Sequence, residues 1–242
     1  MPLAGDRFDL PFQTLVDVPR VELNPDEITL ELVEGDSATA SFSILNTLDS
    51  GSLSLTFGEA PEGCDAPADV GWLVVPTGTI TTAAGASASV EVSIDAAGLT
   101  APDLQTAKVC VELEDGALLE LPVTLQVLYP FSGFLATFDD PPALNDAHAD
   151  GVQTFWFRLG GDRGLDVVSD ASSRQIDCVT GEVNGSPEPA KTPSWRGLFY
   201  QSYTSRYVYP WRTTAAFKGT CRRFELTLSD GSVHAALLSF VK

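Results

Sequence analysis

Period-two alternation of apolar residues, repeated along the chain and cut by glycine turns, is the feature that most limits what this sequence can become. The clearest stretch is 151–166, GVQTFWFRLGGDRGLD. Val152, Thr154, Trp156 and Arg158 fall on one face, Phe155, Phe157 and Leu159 on the other, and Gly160 and Gly161 end the run. Strand side chains point alternately to opposite faces, so a run of this kind reads as a strand with a buried face. The same alternation recurs at Ile28, Leu30 and Leu32, at Ala38, Ala40, Phe42 and Ile44, at Leu53, Leu55 and Phe57, at Ala88, Val90, Val92 and Ile94, and at Leu119, Leu121, Val123 and Leu125. Long helical periodicity is missing. Turn signals, among them Gly35-Asp36, Gly85, Asp115-Gly116 and Asp230-Gly231, separate the runs. Over 20–127, seven or so short strands with turns every ~8–12 residues predict an immunoglobulin-like sandwich.

A chain of 242 residues suits two such units. Tyr129 and Pro130 mark the linker, which predicts an N-terminal extension over 1–19, a first β-sandwich over 20–128 and a second over 129–242. The expected fold is therefore all-β: two tandem immunoglobulin-like β-sandwich domains with one disulfide each.

The charge is lopsided. Residues 1–130 hold 21 acidic groups against Arg7, Arg20 and Lys108, a balance of −18, and the remaining residues supply the last −1 of the total −19. Such a surface repels phosphate backbones and anionic membranes, which argues against nucleic-acid partners. No run is long and apolar enough for a membrane-spanning helix, so no membrane insertion is expected. The start, MPLAGDRFDL, has neither a basic n-region nor an apolar h-region, as in a mature or trimmed secreted chain.

Four cysteines, Cys64, Cys110, Cys178 and Cys221, lack zinc spacing, and His148 and His234 lie far from them in sequence. Two cysteines in each half suggest Cys64–Cys110 and Cys178–Cys221, with the other two pairings left open by sequence. Disulfides imply an oxidising compartment, hence an extracellular or cell-surface location.

Nothing organises into a catalytic centre. There is no nucleophile elbow, and neither histidine has a visible partner. Asp146-Ala-His148-Ala-Asp150-Gly151 imitates the start of an EF-hand loop, but His148 occupies the third position and Phe157 the twelfth, where a bidentate Glu is needed. A polar turn before a strand is the better reading. Asp139 and Asp140 belong to a similar turn. Gly160 to Gly164 lacks the strand–loop–helix setting of a phosphate cradle and reads as a strand connector. Neither a metal nor a cofactor is expected.

Two features point to binding. In the extension, Phe8, Leu10 and Phe12 alternate with Asp9 and Pro11, the pattern of an edge strand or of a strand given to a neighbouring subunit. In the second half, Trp156, Trp195, Phe199, Tyr200, Tyr203, Tyr207, Tyr209 and Trp211 form an aromatic inventory. Tyr207, Tyr209 and Trp211 alternate as core rings do. Trp156 and Trp195 are the candidates for a ligand surface.

Two stretches resemble known families. DSATASFSILNTLDSGSLSLTF, VGWLVVPTGTITTAAGASASVEVSIDAAGL and AKVCVELEDGALLELPVTLQV are similar to bacterial immunoglobulin-like repeats of secreted proteins. The second half resembles the PxKF family of bacterial extracellular domains. The resemblance rests on FSGF (131–134), DDPPALN (139–145), FRLGGDRGLDV (157–167), SSRQIDC (172–178), Trp195 with Gly197-Leu198, RYVYPWRT (206–213) and FKGTCRRFELTLSDGSVHAALLSF (217–240). It implies a bridge between Cys178 and Cys221 and supplies no activity. Its namesake motif would fall at 154–157, where this chain reads Thr154-Phe155-Trp156-Phe157, so the lysine is replaced by Trp156. Domains of both kinds occur as appendages of larger secreted proteins. That implies a non-catalytic structural role, as a subunit of a bacterial surface filament or layer built from copies of itself by β-strand addition. The alternative is a soluble adhesion or glycan-binding module.

Overall fold

The computed structural model describes residues 20–135 and 138–240. Its regular structure among the described residues is strand, apart from one 3-10 turn at Ala215–Phe217. The first half supplies β1 (Val21–Asn24), β2 (Ile28–Val33), β3 (Ser37–Asn46), β4 (Ser52–Ala60), β5 (Leu73–Val74), β6 (Thr79–Ala83), β7 (Ser87–Asp95), β8 (Asp103–Leu113) and β9 (Leu118–Leu128). The second supplies β10 (Leu144–Asp146), β11 (Val152–Phe157), β12 (Val168–Ile176), β13 (Glu188–Pro189), β14 (Phe199–Gln201), β15 (Arg206–Arg212), β16 (Cys221–Leu228) and β17 (Val233–Ser239).

Sheets β1-β3-β7-β5 and β2-β9-β8-β4-β6 make the first sandwich, and sheets β10-β17-β16-β12-β13 and β11-β15-β14 the second. No sheet takes strands from both halves. The alternation puts Phe42, Ile44, Val90, Val92 and Ile94 of one sheet against Leu55, Val109, Val111, Leu121 and Leu125 of the other, all buried. Each such side chain contributes about 1.5–3 kcal/mol by leaving water. Asp115-Gly116 and Asp230-Gly231 turn the β8–β9 and β16–β17 hairpins, with both glycines at positive φ.

The short elements are the ones the alternation did not announce. β1 and β13 have four and two residues. β2 and β10 pair parallel, with β9 and β17 respectively, so their neighbours are distant in sequence. The Trp72–Val75 run yields only the two-residue β5.

Cys64–Cys110 and Cys178–Cys221 are bridged, one in each sandwich. The halves also touch. Tyr129 N–H donates to the buried carboxylate of Asp230 (2.6 Å), whose other oxygen accepts from Ser232. Gly160, at φ +73°, lies so close to the linker that a Cβ would stand 2.9 Å from Pro130 Cγ.

Candidate functional site

β11 and β15 divide the aromatic residues between core and surface. Val152 pairs with Arg212, Thr154 with Pro210, Trp156 with Val208 and Phe157 with Tyr207. The odd-numbered residues point inward. Phe155 stacks on Phe224 with centroids 3.8 Å apart, Phe157 stacks on Tyr207 at 5.4 Å, and Trp211 packs on Phe217 and Phe240. Tyr207 and Tyr209 are buried with their hydroxyls engaged, Tyr209 donating to Ala190 O at 2.6 Å. Burial pushes both phenols up to about 12. These rings pack the core of the sandwich, and Tyr209, 8% exposed, also borders a surface groove.

The even-numbered face of the ribbon is the candidate surface. Trp156 is half-buried on it, with the Arg206 guanidinium 5.6 Å from the ring centroid and its own carbonyl accepting from Leu135 N–H. It covers the sheet where the resemblance would place a lysine. Trp195 is different: it is 69% exposed. It lies on the loop between β13 and β14, beside a cleft of about 340 Å³ lined by Asp150, Gly151, Val152, Pro193, Arg212 and Thr213. The two tryptophans do not share this cleft. Trp156 sits four residues along β11 from Val152, about 13 Å at strand rise.

The cleft walls are braced by backbone contacts. Thr213 N–H donates to Gly151 O (2.9 Å), Gly151 N–H donates to Thr213 Oγ1 (3.0 Å), and the Thr213 hydroxyl donates to His148 O (3.1 Å). Gln153 Nε2 also donates to His148 O. Arg212 N–H donates to Lys191 O, which ties the Trp195 loop to the end of β15. The loop closes as a turn, with Arg196 N–H donating to Pro193 O, and the Arg196 guanidinium rests 3.7 Å from the Phe199 ring centroid.

The other polar turns have structural roles. Asn145 bonds Asp139 through both backbone groups and reaches Leu237 O, so 139–145 is a braced turn. Asp150 takes φ +56° just before β11. Among the described residues no three His, Cys, Asp or Glu side chains gather as metal ligands. His234 stacks on Phe131 with centroids 3.5 Å apart and meets Ser232 Oγ at 2.9 Å. Its burial pushes the imidazole below its usual range, against the opposing pull of Asp230 and Asp140. The Gly160–Gly164 turn is held by Tyr207: its Oη accepts from Arg163 N–H (2.5 Å) and donates to Gly164 O (3.0 Å). Arg163 is thereby aimed at Glu34 of the first sandwich.

Phe8, Leu10 and Phe12 lie outside the described residues. Sequence reasoning passed over Arg212 and Asp150 as partners of Trp195, because they come together only through the β11–β15 register and the bond from Arg212 to Lys191. It also passed over Arg163 and Glu34, which are 129 positions apart. The one available signal was a lone arginine in a glycine turn.

No family model matches the chain, and no curated protein matches it in sequence. The resemblance to the PxKF family therefore rests on the quoted residues alone. Among solved structures, the periplasmic chaperone SfaE aligns over 91% of this chain and 98% of its own, at 10% identity and a TM-score of 0.35. The Pseudomonas aeruginosa chaperone CupB2 aligns over 90% and 100%, at 8% identity and 0.36. A protein of unknown function from Porphyromonas gingivalis aligns over 92% and 99%, at 11% identity and 0.38. None of these likenesses bears on function.

Proposed function

We propose that this chain is a non-catalytic structural subunit of a bacterial surface assembly, in which the apolar extension of one copy adds to a sheet edge of the next. The supporting observation is an open seam between the two sheets of the second sandwich. It is a groove of about 560 Å³ bounded by the β12 edge, with Leu165, Val168, Ala171, Pro189, Leu198 and Tyr209 among its lining residues. Leu165 is 55% exposed there. β13 pairs with Ser172 and Ser173 of the β12 edge, Ala190 N–H reaches Ala171 O, and 183–184 cover Gln175 and Ile176, so among the described residues the edge at Val168–Asp170 has no strand partner on that side. An extended segment with alternating large apolar groups fits such a seam. Head-to-tail addition makes an open polymer when its rotation does not close. The two disulfides support an oxidising compartment. No helix among the described residues is long and apolar enough to cross a membrane.

Electron microscopy of the full chain and of a variant lacking 1–19 tests this reading. The full chain should form filaments or layers and the truncated chain should not. Leu165→Asp should block assembly while leaving the far-ultraviolet dichroism unchanged. Monomers in all three preparations overturn it.

A further inference from the structure

We propose that the cleft beside Trp195 is a binding site for a neutral polysaccharide. The proposal does not depend on strand addition: the cleft adjoins the seam, with Arg212 N–H donating to Lys191 O, but shares no lining residue with it.

Three observations converge. The first is the indole itself. Trp195 leaves most of its surface in water, although an aromatic of this size ordinarily buries 150–250 Å². Its loop is pinned at both ends, at Lys191 by β15 and at Arg196 by the Pro193 turn and the Phe199 ring. The platform is thus held out rather than left loose, and little order remains to be lost on binding. The second is the pair of charges at the rim. The Asp150 carboxylate and the Arg212 guanidinium both line the cleft, and among the described residues neither side chain has a hydrogen bond or ion pair to protein. The third is the rigidity of the wall. Asp150, Gly151, Arg212 and Thr213 belong to one corner fixed by reciprocal backbone and hydroxyl bonds.

The chemistry of the ligand follows from that set. A flat π face with negative charge at its centre takes the C–H-rich face of a pyranose ring. A carboxylate only accepts hydrogen bonds and a guanidinium only donates them, so together they suit a group that does both. A vicinal diol is such a group. A quaternary ammonium would meet Arg212, and an anionic sugar would meet Asp150. The cleft volume of about 340 Å³ lies at the small end of ligand pockets, so a few sugar units of a longer glycan would be gripped.

The test uses the full chain, titrated by calorimetry with cellohexaose, maltohexaose and laminarihexaose, and with hexagalacturonate as the anionic control. At least one neutral hexaose should bind saturably. Trp195→Ala should weaken it about tenfold or more. Asp150→Asn, which tolerates the positive φ, and Arg212→Gln should each weaken it about three- to tenfold. Trp156→Ala should leave it unchanged. Folding of each variant is checked by thermal melting. Failure of all three neutral sugars overturns the proposal, as does tighter binding of hexagalacturonate. It also fails if binding is lost with Trp156→Ala but kept with Trp195→Ala. If Trp195→Ala instead abolishes self-association of a protein that binds no sugar, the exposed indole is a subunit contact and the glycan site is wrong.

Discussion

Arg163 of the second sandwich reaches Glu34 of the first, with Nη2 placed 2.9 and 2.8 Å from the two carboxylate oxygens. Both side chains are mostly shielded, at 18% and 25% exposure. The guanidinium also donates to Leu159 O, and Glu34 accepts from Ala101 N–H. For Glu34, burial raises the carboxyl's pKa, but Arg163 and the Ala101 amide outweigh it and hold it below the ordinary value. The pair joins the halves beside the Tyr129–Asp230 contact, so the relative orientation of the sandwiches rests on a few named groups.

Glu34→Gln and Arg163→Gln should each lower stability by about 1–2 kcal/mol, between the values of exposed and fully buried pairs. The double variant should cost clearly less than the sum, since either change alone removes the shared interaction. Urea unfolding of the four proteins measures this. Simple additivity would show that the two side chains are not energetically coupled.

The disulfides close loops with sequence separations of 46 and 43. In the chain-entropy account each restricts the unfolded state by about 4 kcal/mol. Cys64→Ala with Cys110→Ala, and Cys178→Ala with Cys221→Ala, should therefore each lower the midpoint of urea unfolding substantially. A midpoint unchanged in either double variant contradicts a structural role for that bridge.

His234 gives a pH dependence with a defined sign. Unfolded, the imidazole takes a proton near its ordinary value of 6.5, and folded it does so only at lower pH. The unfolded state thus binds more protons in the window just below pH 6.5, so stability is full above that pH and falls as pH drops through the folded value. The groups facing the ring are Phe131, Ser232, Asp230 and Asp140. His234→Gln should shrink the loss of melting temperature between pH 7.5 and 5.5. Equal losses in both proteins would assign the effect to other groups.

Trp156→Lys puts back the residue implied by the PxKF resemblance. It removes half-buried ring area and the Arg206 contact, and it sets a cation near Arg206 and Arg158. The expected cost is about 1–2 kcal/mol. A stabilised variant in urea unfolding would mean that the sheet face favours the lysine and that Trp156 serves some purpose other than cover.

The sequence by itself determined the all-β class, the sandwich layout, the main strands and the fate of most rings. Alternation at Phe155, Phe157, Tyr207, Tyr209 and Trp211 is enough to send these side chains inward, because a strand offers only two faces. Two hairpins were legible at Asp115-Gly116 and Asp230-Gly231, where the residue chemistry dictates the turn. Short edge strands such as β5 and β13 were not, since two residues carry no period. Neither were the parallel partners of β2 and β10, whose pairing depends on how distant strands meet. Only the tertiary structure set the two candidate tryptophans apart in exposure and neighbours. Trp156 lies along the sheet under Arg206, whereas Trp195 stands on a pinned loop beside Asp150 and Arg212. Trp195 and Arg212 are 17 positions apart, and Trp195 and Asp150 are 45 apart. The β11–β15 register sets Arg212 opposite Val152, next to Asp150, and the bond from Arg212 N–H to Lys191 O brings the Trp195 loop to them, non-local contacts that no local pattern encodes.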